Sequence, residues 1–97
     1  MNAILAPRAH RDLEAIAEYL VQRSPAGAAN VLAAIKSNIE MLKAFPEIGR
    51  IVDDAGRRRL PVSRFPYVIY YRIEGSEILI LHIRHTSRRP IDPATSL

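Results

Sequence analysis

The chain has 97 residues, 48% hydrophobic and 25% charged, a balance that argues against a disordered or fibrous chain and leaves room for a single domain, residues 1–97. The absence of cysteine excludes a disulfide scaffold and thiol chemistry, and three histidines argue against a buried zinc site, so no metal or other cofactor is expected. The net charge of +4 is unevenly spread: residues 1–56 carry six basic and seven acidic side chains, whereas residues 57–90 carry eight arginines against Glu74 and Glu77. Such a patch favours an anionic partner, although surface arginines also serve solubility alone.

The opening run "NAILA" has the length of a strand, and Pro7 after it suits the first position of a helix, where its missing N–H costs nothing. The run is too short for a signal peptide and no basic segment precedes it. No stretch approaches the ~18 apolar residues of a membrane span, so the expected location is cytoplasmic, without membrane contact. Leu13, Ile16, Ala17, Leu20 and Val21 recur at helical spacing and predict an amphipathic helix over about residues 8–23. Ser24 before Pro25 reads as a cap and first-turn proline. Ala28, Val31, Leu32, Ile35, Ile39 and Leu42 then form a second stripe that ends before Phe45-Pro46. The short link between the stripes makes an antiparallel helical hairpin.

Residues 46–56, with "PEIGR" and "DDAGRR", read as a surface connection. Three strand-like segments follow: "RRRLPV", "YVIYYRIE" and, after a Gly75-Ser76 pair that suits a two-residue type II′ turn, "EILILHIRH". The expected fold class is therefore α+β: an N-terminal strand, a helical hairpin and a three-stranded antiparallel meander. Counting outward from that turn pairs Glu74 with Glu77, Tyr71 with Ile80, Tyr70 with Leu81 and Val68 with Ile83. Both sides of the hairpin are then largely apolar, and the helices can cover only one. Val68, Tyr70, Leu81 and Ile83, which carry fewer polar tips, are expected beneath the helices. Ile69, Tyr71, Ile80 and His82 are expected on the accessible side.

No glycine-rich phosphate loop, repeat or zinc spacing is present. A triad of Ser63, His82 and Asp53 can be written down, but nothing in the sequence orders it. His10 sits among charges on the first helix and reads as solvated, and His82 reads as a packed residue of an apolar strand.

The segments "AHRDLEAIAEYL", "FPEIGR", "RRRLPVSRFPYVIYYRI" and "ILHIRHTSRRP", in this order and spacing, resemble the RelE/ParE superfamily of toxins from bacterial type II toxin–antitoxin modules, and within it the ParE-like branch. The resemblance covers nearly the whole chain. It implies a groove that takes the C-terminal segment of a cognate ParD-like antitoxin, here acidic and apolar, with Ile69, Tyr71, Ile80 and His82 as groove residues. DNA contact would pass through the antitoxin alone. It also implies one of two targets. ParE-like members inhibit DNA gyrase; RelE-like members enter the ribosome and cut messenger RNA.

Arg57 and Arg59 match the alternating basic pair of the RelE-like enzymes, and Arg88 matches their basic residue beyond the last strand. However, Tyr67 stands where those enzymes place an arginine, and "IDPATSL" carries no tyrosine. Cleavage without a metal needs both proton transfer and charge stabilisation from side chains, and neither His82 nor His85 has an evident partner in sequence. Gyrase inhibition is the expectation, with no confident catalytic residue and with Arg57, Arg59, Arg84, His85, Arg88 and Arg89 as candidates for target contact or, alternatively, for an RNase. A nucleic-acid-binding module reading phosphates through Arg57, Arg58, Arg59, Arg88 and Arg89 ranks third, because no stacking aromatic pair or basic recognition helix accompanies them.

Overall fold

The computed structural model describes residues 1–86. Seven elements follow one another: β1 (Asn2–Leu5), α1 (Pro7–Val21), α2 (Pro25–Ala44), β2 (Arg50–Ile51), β3 (Arg58–Pro61), β4 (Tyr67–Glu74) and β5 (Glu77–His85). The sheet order is β1-β5-β4-β3-β2. The α+β class, the helical hairpin and the β3-β4-β5 meander match expectation. Two features were not legible in the sequence: β1 lies parallel to β5 at one edge, and the connection over 46–56 contributes a two-residue strand, β2, at the other.

The helices form where side-chain spacing and end signals agree. Pro7 opens α1, and Leu13, Ile16 and Leu20 lean on the core around the fully buried Ala9. Ser24 caps α2, its hydroxyl accepting the Gly27 N–H at 3.0 Å. Buried Ala28, Val31, Ile35, Asn38 and Leu42 then alternate at three and four residues, a single stripe against the sheet. The helix stops at Phe45, since the residue before a proline is driven out of helical geometry.

At the β4–β5 turn, Gly75 takes φ +58° and Ser76 keeps a negative φ, as a type II′ turn requires. The first four pairs beyond it, Glu74 with Glu77 through Tyr71 with Ile80, stand as expected. The next pair is Tyr70 with His82, because a β-bulge leaves Leu81 as an extra residue, and the remaining pairs shift by one. The bulge changes parity. Ile83 therefore joins Ile69, Tyr71, Ile78 and Ile80 in the core cluster beneath the helices, while His82 moves to the side of Tyr70.

Ile83 lies beneath the helices as expected, but for Ile69, Tyr71 and Ile80 the expected orientation of the hairpin is reversed. Ile69, Tyr71 and Ile80 have no exposed surface, and a side chain without exposed surface cannot line a groove for a partner. With Leu60 of β3 and Ile35 of α2 they form one apolar core between the sheet and the helices.

Candidate functional site

The sheet face turned away from the helices is built by alternation. With Leu60, Ile69, Tyr71, Ile78 and Ile80 pointing to the core, their strand neighbours Arg59, Val68, Tyr70, Arg72 and Leu79 point the other way. Register places Arg59, Tyr70 and His82 in one row across β3, β4 and β5, and Val68 beside Arg84 in the next. Tyr70, Arg72, Leu79 and Arg84 are half-buried, neither sealed nor fully solvated. The face therefore presents apolar surface edged by guanidinium groups.

The three consecutive arginines at the start of the third strand have different fates. Arg57 donates from its Nε to Asp53 Oδ2, and its backbone N–H bonds Asp53 Oδ1 at 3.2 Å. Asp53 also accepts the Ala55 N–H at 3.0 Å, closing an Asx turn. Burial alone raises the Asp53 carboxyl, but the hydrogen bonds from Arg57 and Ala55 outweigh it and hold the group below the usual carboxylate range. Arg58 is engaged as well, its Nη1 donating to the carbonyls of Glu47 and Gly49 at 3.1 and 2.8 Å. Arg59, half-buried, points to the helix-free face. The expected Arg57–Arg59 pair is thus unequal: one guanidinium closes a turn and the other faces outward. The signal for the first was present in the sequence as Asp53 four residues before Arg57, within a turn-forming segment.

A second feature lies where β5 runs past the end of β1. There Asp12, from α1, accepts the Ile83 N–H at 3.0 Å and lies 2.6 Å from His82 Nδ1. The carboxylate can only accept, so His82 carries its proton on Nδ1 and leaves Nε2 as a bare acceptor. That Nε2 is buried and has no hydrogen-bond partner. Burial lowers the His82 pKa, and the bond to Asp12 only partly opposes this, so the ring is neutral at pH 7. Asp12 is a residue that sequence reasoning missed: it is 70 positions from its histidine, with no local signal. The Ser63–His82–Asp53 triad is not assembled, since Asp53 is committed to Arg57 and His82 to Asp12.

Arg84 and His85 line the cleft between α1 and the end of β5, with His85 edge-on to Tyr67 at 5.1 Å between ring centroids. Arg88 and Arg89 lie outside the described residues. Among the described residues, no group of three or more His, Asp or Glu side chains could hold a metal ion.

A model of the family described as "ParE toxin of type II toxin-antitoxin system, parDE" matches residues 3–90. Among similar proteins, toxin RelE2 of Caulobacter vibrioides is 36% identical over 81 residues, 84% of this chain and 90% of that protein. Toxin RelE3 of the same organism is 34% identical, covering 88% and 94% respectively. The solved structure of a chromosomal ParDE toxin–antitoxin system from P. aeruginosa superposes with a TM-score of 0.77 at 30% identity, over 88% of this chain and 95% of that one.

Proposed function

The chain belongs to the ParE toxin family of type II toxin–antitoxin systems, and on that premise we propose that it inhibits DNA gyrase and is neutralised by an acidic, ParD-like antitoxin. The observation that carries the choice of target is the commitment of Arg57 to Asp53. A metal-independent RNase draws on a pair of strand cations to stabilise a phosphorane, and a guanidinium closing its own turn is already neutralised. Tyr67 is buried in the core cluster and supplies no cation in place of the arginine that RelE-like enzymes carry. A gyrase inhibitor asks less of any single residue, because binding spreads over a surface.

The antitoxin segment is assigned to the helix-free face of the sheet, with Tyr70 and Leu79 as apolar contacts and Arg59 and Arg84 steering its acidic side chains. Ile69, Tyr71 and Ile80 are not part of this groove. DNA contact belongs to the antitoxin. Among the described residues no helix is long and apolar enough to cross a membrane, and the cytoplasm, where gyrase works, is the proposed location.

The alternative, ribosome-dependent cleavage of messenger RNA, gains one observation: His82 has a carboxylate partner in Asp12, as a general base needs. Against it, the Nε2 that would take the proton is buried. The experiment is a supercoiling assay with purified gyrase, the toxin and then the antitoxin. Loss of supercoiling that the antitoxin restores is expected; intact gyrase beside messenger cut on ribosomes would reverse the ranking. Arg57→Ala separates the readings further. An RNase would lose orders of magnitude in rate, whereas the gyrase reading expects a change of about 1 kcal/mol or less in affinity.

A further inference from the structure

At the β2 edge of the sheet, the alternation of the hydrogen bonds leaves one residue facing outward. Register sets Arg50 against Arg59 and Ile51 against Arg58, and one position further on the Val52 N–H donates to the Arg57 carbonyl at 2.8 Å. In an antiparallel pair, successive residues turn their backbone groups alternately toward the neighbouring strand and away from it. Val52 and Arg50 therefore bond toward β3, and Ile51 turns both its N–H and its C=O away from the sheet. Gly49, which has the same parity, is already occupied, its N–H by the Tyr71 hydroxyl and its carbonyl by Arg58, both at 2.8 Å. Ile51 alone is left to pair along this stretch.

The same stretch exposes apolar side chains. Phe45, Ile48 and Ile51 keep 64%, 49% and 54% of their surface exposed, although the backbone that carries them is fixed by Tyr71 on Pro46 and Gly49 and by Arg58 on Glu47 and Gly49. Apolar groups held on a fixed backbone lose little freedom when they are covered. A single outward residue is also self-complementary: across a two-fold axis, Ile51 of one copy and Ile51 of a second copy can exchange both N–H···O=C bonds, the bonded pair of an antiparallel ladder. That pairing sets the two Ile51 side chains next to each other. It also brings each Arg50 opposite Val52 of the second copy, toward the turn that carries Asp54. Arg50 and Asp54 are both exposed, and neither makes an ion pair among the described residues. A strand of one charge would meet both signs at this edge, whereas a second copy meets each sign with its opposite. We propose that the chain associates with itself through β2, forming a two-fold dimer in which the sheet continues from one copy into the other. The antitoxin is assigned to the sheet face and not to this edge, so the inference holds or fails independently of that reading.

The test is sedimentation of the full chain over about 1–300 µM, with hydrogen exchange followed at the Ile51 amide. A monomer–dimer equilibrium with a dissociation constant of about 1–100 µM is expected, as suits a small interface. The Ile51 amide, open in the monomer, should gain protection as the dimer forms. Ile51→Asp sets two carboxylates against each other at the axis and should weaken association at least about tenfold, while the thermal unfolding of the dilute chain stays in place because the side chain is exposed. Arg50→Glu should weaken association about threefold to fivefold, and Asp54→Arg in the same chain should restore it. A monomer at every concentration would overturn the proposal, as would a dimer whose Ile51 amide still exchanges freely and which Ile51→Asp leaves intact. Protection of that amide only after the antitoxin is added would also overturn it, giving the edge to a strand of the antitoxin.

Discussion

Two buried polar rings on the central hairpin, Tyr71 and His82, sit in opposite situations. Tyr71 has no exposed surface, yet its hydroxyl is satisfied twice, donating to the Pro46 carbonyl and accepting the Gly49 N–H, both at 2.8 Å. Burial raises its pKa despite the Gly49 bond, so the phenol keeps the proton it donates. Gly49 is required for this approach, since a Cβ there would lie 2.6 Å from the Tyr71 ring. On the other flank, His82 is held through one nitrogen by Asp12 and left unsatisfied at the other. Where every polar atom is paired, the residue serves the architecture. Where one is left over, the fold has retained a cost that packing does not explain.

The largest test of that contrast is Tyr71→Phe, which orphans the Gly49 N–H and the Pro46 carbonyl at once. A loss of about 2–3 kcal/mol is expected in urea unfolding. A loss below about 0.5 kcal/mol would show that the loop after α2 is held by something else.

Asp12→Ala should cost less, about 1–2 kcal/mol, because Asp12 is about one-fifth exposed and water can replace part of what it supplies. Its signature should also be local. Hydrogen exchange at the Ile83 amide should rise sharply while the Gly49 amide keeps its protection; equal change at both would merge the two flanks into one unit.

A smaller effect is expected from pH. His82 has a lowered pKa in the fold, burial being the main cause, with Asp12 opposing and Arg8 and Arg84 assisting. The unfolded chain therefore takes up the proton near the ordinary value of 6.5, before the folded chain does. Stability should be fully present above that pH and should fall as pH drops below it, with a slope bounded at about 1.4 kcal/mol per pH unit for one proton. His82→Gln should remove this part of the profile. A profile identical to that of the unaltered chain would sink the assignment.

The smallest effect should come from Arg64, which holds φ 71° in the turn between β3 and β4. Arg64→Gly should stabilise by about 0.5 kcal/mol, the relief of left-handed strain less the added freedom of the unfolded chain. It should do so without shifting exchange at either Gly49 or Ile83, which makes it a control for both flanks.

The legibility of the sequence divides along the same line. The α2 stripe, the Ser24 cap, the Gly75-Ser76 turn and the first four pairs of the hairpin follow from local spacing and turn chemistry, and all were readable. The bulge was not. In "ILILHI" every position is apolar or aromatic, so a slip of one residue leaves the hydrophobic pattern almost unchanged and the register unmarked. That single extra residue put Ile83 on the same face as Ile69 and His82 on the face of Tyr70, while the expected groove failed at Ile69, Tyr71 and Ile80 because a two-sided apolar hairpin does not mark which face the helices take. The short strand β2 escaped because two residues carry no periodicity. Asp12 escaped because only the fold brings α1 beside the end of β5. Of the candidate site, the clustering of arginines was visible, while which of them are free for a partner depended on tertiary contacts such as those that occupy Arg58.

The parallel pairing of Asn2–Leu5 with Glu77–Ile80 has a consequence in time. Of the described strands, the first to be made bonds to the last, neighbours in the sheet but 75 residues apart in the chain, from Asn2 to Glu77. Closing so long a loop is slow and comes after the local helical hairpin has formed. Until β5 has emerged from the ribosome, α1 lacks the strand it packs against most, and Asp12 lacks the His82 ring and the Ile83 amide it holds in the fold. The growing chain therefore passes through a stage of helices without a finished sheet, harmless to any target that needs the folded surface. A regulator acting in that interval would meet an incomplete protein, and it would have until the last strand docks to arrive.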